Sequence, residues 1–207
     1  MRLIGMLDSP YVRRVAISLD SLGVPFDHEP VSVFSNFEEF RKINPVVKAP
    51  TLICDDGEVI MDSSLIIQFF DGGMSQKRSL WSADAKIRQH EFSAVSLALA
   101  ACDKSVQIVY ERKLRPKEAQ YEPWMERVTG QVLAAFSGLE AIAQRQDVLF
   151  AGNLNQVSIT AAVVWQFTQS MLSSVVPESN HPHLVSLSAQ LEKSAVFKKY
   201  SPVGPGV

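Results

Sequence analysis

Cysteine is scarce in this chain of 207 residues, which has only Cys54 and Cys102. They lie far apart, each among apolar neighbours, and no Cys-x-x-Cys or Cys-x-x-His spacing is present. Such spacings are typical of zinc sites and dithiol redox sites, so we expect no metal. The two thiols are expected to be buried and reduced, as is usual in cytoplasmic proteins.

An excess of positive charge is also missing. Twenty Lys and Arg residues face 22 Asp and Glu residues, for a net charge of -2, so we expect no nucleic acid as partner. No stretch reaches the roughly 18 apolar residues of a membrane span, and the apolar segment SAVSLALAA is too short. The first residues do not read as a secretory signal. We therefore expect a soluble, cytoplasmic protein that does not contact membranes.

The first seventy residues carry alternating strand and helix signals. Ser9 can cap a helix that has Pro10 at its first position and Gly23 just after its end. Asp56-Gly57 predicts a hairpin turn. The pattern predicts strands over 2–7, 26–33, 51–54 and 58–61, helices over 10–22 and 36–43, and a third helix capped at 62–64.

Beyond this region the chain carries helical signals only. Residues 72–83 read as a linker, and helices are predicted over 85–113, 118–145, 158–172 and 183–199. The tail SPVGPGV is expected to be mobile. The predicted fold class is α/β plus all-α: a small β-α-β-α-β-β-α domain over 1–73 and an all-helical domain over 84–207.

Four motifs in this order resemble the glutathione transferase family. Ser9-Pro10-Tyr11-Val12-Arg13-Arg14 is similar to the signature of its serine-type members, and Lys48-Ala49-Pro50-Thr51-Leu52 to its Lys-Val-Pro-x-Leu. Asp62-Ser63 is similar to its acidic-Ser pair, and residues 149–164 to a block in its sixth helix. The resemblance covers nearly the whole chain. It implies a thioredoxin-like domain followed by a helical domain.

The resemblance also implies a site for glutathione as co-substrate. The implied binding residues are Ser9, Lys48, Ala49, Pro50, Asp62 and Ser63. Asp62 and Ser63 would hold the γ-glutamyl group at a helix N-terminus, and Lys48 the glycyl carboxylate. A cis Ala49-Pro50 bond would turn the backbone of Ala49 toward the ligand. The acceptor site would involve the fourth helix, around Ala101, Ser105 and Tyr110.

Ser9 is the implied catalytic residue. Its hydroxyl and the helix N-terminus would stabilise the thiolate of glutathione, whose ordinary pKa is about 8.5. A serine cannot form a mixed disulfide, so a cysteine-dependent redox cycle at this position is disfavoured. The other interpretation is that Ser9 only caps the helix.

Three functions remain open at this point. The first is a glutathione transferase that activates the thiol for attack on a small electrophile, as in detoxification. The second is glutathione-dependent disulfide or peroxide reduction, and the third is a non-catalytic binding or regulatory protein. The resemblance further implies a homodimer formed through the third and fourth helices. One departure is that Ala161 stands three residues after Ser158, where the family usually has Asp. If Ser158 caps the sixth helix, its capping arrangement is incomplete.

Overall fold

The computed structural model describes residues 1–72, 78–145 and 154–204. The chain divides into two compact units. The first contains Met1–Trp81 together with Ser194 and the described residues after it, and the second contains Ser82–Lys193. The sequence-based domain bounds of 1–73 and 84–207 remain a prediction, but residues 194–204 pack within the first unit.

The first unit is a four-stranded sheet with helices. Its elements in chain order are β1 (Arg2–Ile4), α1 (Pro10–Leu22), β2 (Asp27–Glu29), α2 (Phe37–Ile43), β3 (Thr51–Ile53), β4 (Val59–Met61) and α3 (Ser63–Gly72). The strand order is β2-β1-β3-β4. Strand β1 pairs in parallel with β2 and antiparallel with β3, and β3 pairs antiparallel with β4. The predicted thioredoxin-like topology is confirmed, with strands shorter than predicted.

Helix α1 has the predicted ends because its caps work as the sequence indicates. Ser9 has extended backbone angles and accepts from the Val12 N–H, with Pro10 at the first helical turn. Gly23 adopts the left-handed conformation at φ 75° and donates to carbonyls of the last turn. Helix α1 packs against α3. Apolar side chains of both helices and of β1 and β3 form the core: Leu3, Ile4, Val12, Val15, Ala16, Leu19, Leu52, Ile66, Ile67 and Phe70.

The second unit is helical. It contains α4 (Ala85–Leu114), α5 (Glu122–Gln144), α6 (Gln156–Leu172) and α7 (Pro182–Leu191), with short 3-10 turns at Lys117–Ala119 and Glu178–Asn180. Helix α4 packs against α5 and α6, and α7 against α5 and α6. Helix α5 carries one apolar stripe, and its buried residues are Met125, Val128, Val132, Phe136 and Leu139.

Two local predictions about the helices are wrong. The helix predicted over 183–199 is two helices, α7 and α8 (Ala195–Lys199), and only α7 lies in the second unit. Helix α6 is capped by Asn155 and not by Ser158. The Asn155 side chain accepts from the Ser158 N–H, and the Ser158 hydroxyl accepts from the Asn155 N–H. The capping box is therefore complete one turn earlier than expected.

The described part of the tail, residues 201–204, belongs to the first unit. Ser201 Oγ donates to the Lys198 carbonyl at 2.8 Å, and Gly204 lies against Asp8. The mobility expected of the tail stays a prediction. Residues 205–207, five of the linker residues (73–77) and the start of the fourth motif (149–153) lie outside the described residues.

Helix α4 is the one described helix that is long and apolar enough to cross a membrane by length and composition. Such a segment was not expected from the sequence. It is weak evidence for a span, because the core helix of a soluble protein passes the same test. Its buried residues include Ala94, Ala98, Ala101 and Cys102.

Candidate functional site

Ser9 lies between strand β1 and helix α1, immediately before the helix begins. Its Oγ lies 3.5 Å from the Val12 nitrogen and accepts from that N–H. Among the described residues, no hydrogen bond donated by the Ser9 hydroxyl is found, so its proton can be given to a ligand. The dipole of helix α1 adds positive potential at the same point. Ser9 is half-buried, and an anion placed here meets a hydroxyl donor and a helix N-terminus together.

The turn before strand β3 lies close to the end of β1. The Ala49-Pro50 bond is cis, as expected. Gly5, at φ +137°, has room for no side chain: a Cβ there would lie 2.6 Å from a Val12 methyl group and 3.1 Å from the Ala49 Cβ. Ala49 therefore lies beside the loop that leads to Ser9. None of the backbone hydrogen bonds found in the described residues uses the Ala49 N–H or carbonyl.

Side-chain hydrogen bonds fix the conformation of this turn. The Thr51 hydroxyl donates to the Lys48 carbonyl at 2.7 Å. The Asn44 amide in turn donates to the Thr51 oxygen at 2.9 Å. Both Asn44 and Thr51 are buried. The role of this pair was not predicted from the sequence, although Thr51 follows Pro50 directly in the second motif.

The first turn of helix α3 is the third part of the site. Asp62 precedes the helix with φ at 75°, a conformation that Asp and Asn adopt more readily than other side chains. Its Oδ1 accepts from the Ser64 N–H at 2.9 Å. Ser63 is buried at 3% exposure. Asp62 takes the N–H groups of Ser64, Leu65 and Ile66, so the Ser63 N–H is the one that this turn can offer to an anion among the described residues.

Arg14 connects helix α1 to this turn. Its guanidinium is buried and donates to the Ser63 Oγ at 2.9 Å and to the Ser64 Oγ at 3.1 Å. Arg14 belongs to the first motif, but its function could not be inferred from the motif alone. A signal was present, because α1 is apolar on most sides and an arginine within such a helix needs buried acceptors.

Lys48 and Asp62 form an ion pair at the surface of the site. The Lys48 Nζ lies 3.4 Å from the Asp62 Oδ2, and about half of each side chain is exposed. Burial alone would raise the pKa of Asp62. The hydrogen bond from the Ser64 N–H, the Lys48 charge and its hydrogen bond, and the Leu65 N–H outweigh burial and lower that pKa from its ordinary value. Asp62 is therefore a carboxylate at neutral pH.

The structure thus brings several of the predicted residues together. Lys48 contacts Asp62, Ser63 contacts Arg14 of the helix that Ser9 begins, and Ala49 lies against Gly5 just before Ser9. The suggested acceptor residues are partly wrong. Ala101 and Ser105 are both fully buried, and the Ser105 hydroxyl bonds to Thr168 on α6. Tyr110 is 41% exposed and remains a prediction.

His, Cys, Asp and Glu side chains are the usual ligands of metal ions in proteins. The described residues contain no group of three or more of them that could hold a metal ion. Both cysteines are free thiols, with Cys102 buried and Cys54 half-buried. Burial, followed by the nearby carboxylates of Asp56 and Asp55, raises the pKa of the Cys54 thiol.

Comparison with known proteins supports the assignment of the N-terminal part. Residues 3–78 match the family model for the glutathione S-transferase N-terminal domain. Over 71 residues, the chain is 30% identical to the uncharacterized GST-like protein YibF of Escherichia coli, covering 34% of this chain and 35% of that protein. It is 27% identical to glutathione S-transferase U4 of Arabidopsis thaliana over the same length, which is 34% of this chain and 32% of that one. The matches thus span about a third of these relatives.

Solved structures resemble the chain over nearly its full length. A glutathione transferase family member from Pseudomonas fluorescens, solved with bound glutathione, is 24% identical with a TM-score of 0.85, covering 98% of this chain and 99% of that one. A glutathione S-transferase from Methylobacterium radiotolerans, in complex with glutathione sulfonate, is 23% identical with a TM-score of 0.87, covering 100% and 96%. Residues 3–78 therefore match a glutathione S-transferase N-terminal domain, and the chain has the glutathione transferase fold.

Proposed function

We propose that this protein is a glutathione transferase of the serine type that activates the thiol of glutathione for attack on a small electrophile. The observation that carries the proposal is the first turn of helix α3. There, the Ser63 and Ser64 hydroxyls accept from the buried Arg14 of helix α1, the helix that Ser9 caps, and the Asp62 carboxylate accepts from the Ser64 N–H. Glutathione in the related Pseudomonas fluorescens structure supports the same ligand here.

In this proposal the two ends of glutathione are recognised by charge. The γ-glutamyl carboxylate lies at the N-terminus of helix α3 against Ser63, and the Asp62 carboxylate accepts from the γ-glutamyl ammonium. Lys48 binds the glycyl carboxylate. Because its ammonium pairs with Asp62 here, it has to turn away first, which its long and half-exposed side chain permits. The arriving ammonium then replaces Lys48 as the partner of Asp62.

The middle of glutathione pairs with the turn at Ala49-Pro50. The N–H and carbonyl of Ala49 take the cysteinyl backbone as a short antiparallel strand pair. This pairing directs the thiol toward the start of helix α1, because Ala49 lies beside Gly5. Pro50 is buried and fixes the turn.

Ser9 then acts on the thiol. Its Oγ accepts from the Val12 N–H and its own O–H donates to the sulfur, so capping the helix and stabilising the thiolate are compatible roles. The thiol proton leaves to solvent. The thiolate attacks the electrophilic carbon, a C–S bond forms, and the leaving group departs with its electron pair. No electron is exchanged with the protein, so the reaction needs no redox-active cysteine.

The test is the ultraviolet absorbance of bound thiolate as a function of pH. In the wild type, we expect glutathione to ionise at least one pH unit below its ordinary value of about 8.5. Ser9→Ala should return it toward that value while still binding glutathione. Ser21→Ala is the matched control, because Ser21 lies at the other end of the same helix and bonds to the Ile17 carbonyl.

The outcomes separate the three interpretations of the sequence. If the wild type and Ser9→Ala titrate alike, Ser9 only caps helix α1. If bound glutathione reduces a small disulfide but does not react with an aryl halide, the protein is a glutathione-dependent reductase. If glutathione binds without turnover of any electrophile, the protein is a binding or regulatory relative. We further propose a cytoplasmic homodimer, as the resemblance implies.

A further inference from the structure

The side chain of Arg13 on helix α1 is anchored to helix α8. Arg13 is 1% exposed, and its Nε donates to the Tyr200 carbonyl at 2.8 Å. Its guanidinium also donates to the Phe197 carbonyl at 3.5 Å and lies 5.3 Å from the centre of the Phe197 ring. An arginine keeps its charge at any ordinary pH, so its burial requires acceptors of this kind. The anchor is thus formed by two backbone carbonyls and one ring at the end of α8.

The anchoring segment, Phe197–Tyr200, is itself held on helix α1 by separate contacts. The Tyr200 hydroxyl donates to the Asp20 carboxylate at 3.2 Å, and the Lys199 ammonium donates to the same oxygen. Burial raises the pKa of Tyr200, so its hydroxyl remains a donor at neutral pH. The Tyr200 ring also stacks on Phe26, with centres 5.8 Å apart. Helix α1 is therefore bound near both of its ends by the same short segment.

Arg13 also closes the helical turn that Ser9 caps. The Arg13 N–H donates to the Ser9 carbonyl at 3.0 Å, which is the first backbone hydrogen bond of helix α1. The Val12 N–H donates to the Ser9 Oγ. One residue thus carries the anchor to α8 on its side chain and the bond to Ser9 on its backbone. The end of a helix has fewer hydrogen bonds of its own than the middle, so its position depends on such contacts.

We propose that Arg13 is a positioning residue for the reaction, which acts through Ser9 and contacts neither glutathione nor the electrophile. This inference rests on the proposed function. A hydroxyl stabilises a thiolate only at hydrogen-bonding distance and in a favourable direction, so a small displacement of the first turn of α1 weakens its effect. The residues proposed to bind the two ends of glutathione, Lys48, Asp62 and Ser63, lie outside helix α1. Loss of the anchor should therefore impair ionisation of the thiol more than binding.

The test replaces the guanidinium and keeps the charge. Arg13→Lys retains a cation but lacks the planar fork that bonds to two carbonyls and lies against a ring. We expect the pKa of the bound glutathione thiol, followed by thiolate absorbance, to rise by at least about 0.5 unit, which is about a threefold loss in the ratio of thiolate to thiol. S-methylglutathione has no ionisable thiol. Its affinity, measured by calorimetry, should stay within about twofold of that of the wild type.

A second variant and a control separate positioning from stability. Phe197→Leu keeps Arg13 and the backbone carbonyls and removes only the ring, so it should raise the thiol pKa by less, and it decides the question if Arg13→Lys does not fold. Amide hydrogen exchange in the first turn of α1 should be faster in both variants. Val132→Ala is the control, because Val132 is buried on α5 in the second unit and its truncation lowers stability there. It should leave the thiol pKa unchanged.

Three results would count against the inference, and they can be told apart. If Arg13→Lys and Phe197→Leu ionise bound glutathione as the wild type does, Arg13 has no positioning role while the proposed function stands. If Val132→Ala raises the thiol pKa as much as they do, a general loss of stability accounts for the change. If the wild type itself does not lower the thiol pKa, the proposed function fails, and the inference fails with it.

Discussion

Arg14 and Asp62 both bond to the first turn of helix α3, which begins at Ser63. Arg14 donates to the Ser63 oxygen at 2.9 Å, so the Ser63 proton points elsewhere and can be donated to a carboxylate. The same guanidinium brings positive charge within 3.1 Å of the Ser63 and Ser64 hydroxyls, which favours an anion at this turn. Because Arg14 is buried and always charged, replacing it would leave two hydroxyls without their donor.

Asp62 is the residue whose charge can be tested separately from its shape. Asp62→Asn keeps an acceptor for the Ser64 N–H and tolerates the positive φ, but removes the charge that pairs with Lys48. We expect the free energy of unfolding at pH 7 to fall by less than about 1 kcal/mol, because the ion pair is half exposed. Urea unfolding of the two proteins measures this difference.

The same pair predicts a dependence on pH with a definite sign. The pKa of Asp62 is lowered in the folded protein, because hydrogen bonds and Lys48 outweigh burial. Its contribution is therefore complete above the ordinary value of about 3.9 and is lost as the pH falls through the lowered pKa. The difference between wild type and Asp62→Asn should shrink below about pH 4. A difference that stays constant down to pH 2 would contradict the role of the charge.

At the scale of elements, the start of helix α6 follows the capping-box rule, but the capping residue is Asn155 and not Ser158. Asn155 and Ser158 cap each other's backbone N–H groups, and the residues that follow are buried almost without interruption. Because these first residues are buried, the N–H groups of the first turn cannot bond to water instead. Its first turn therefore depends on this pair to satisfy buried N–H groups.

Asn155→Ala should lower the free energy of unfolding by about 1 kcal/mol, the usual value of an N-cap. Asn155→Asp is the matched control and should cost only a few tenths of a kcal/mol, since Asp caps as well as Asn. Chemical denaturation followed by circular dichroism measures both. Equal stability of all three proteins would show that the capping box contributes nothing.

The elements that could be predicted from the sequence are those whose capping and turn residues are close to them in the chain. Ser9, Pro10 and Gly23 fix helix α1, and the order of strands and helices in the first unit follows from such caps and turns. The break between α7 and α8 and the packing of the tail could not be predicted. They depend on Arg13 bonding to Tyr200, which lies 187 residues away. Likewise, the role of Arg14 emerges only when α1 and α3 are adjacent.

At the scale of the whole molecule, apolar surface is left uncovered on two helices. On α3, Leu65 and Phe69 stand one turn apart, 57% and 47% exposed. On α4, Ile87 and Phe92 are also exposed. Each helix thus has apolar side chains that its own unit does not bury. The resemblance places the dimer contact on these two helices, and their exposed residues support that proposal.

We therefore expect the 22.9 kDa chain to be a dimer at micromolar concentration, with about twice that mass in light scattering. Phe69→Glu should shift it to the monomer, because each protomer of the dimer would then bury one unpaired carboxylate at the interface. Tyr121→Glu is the control, since Tyr121 is an exposed aromatic residue at the start of α5 and should leave the dimer intact. Glutathione affinity reports whether Phe69→Glu keeps its fold. A monomeric wild type would contradict the proposed dimer. A dimer that survives Phe69→Glu would show that helix α3 does not form the interface.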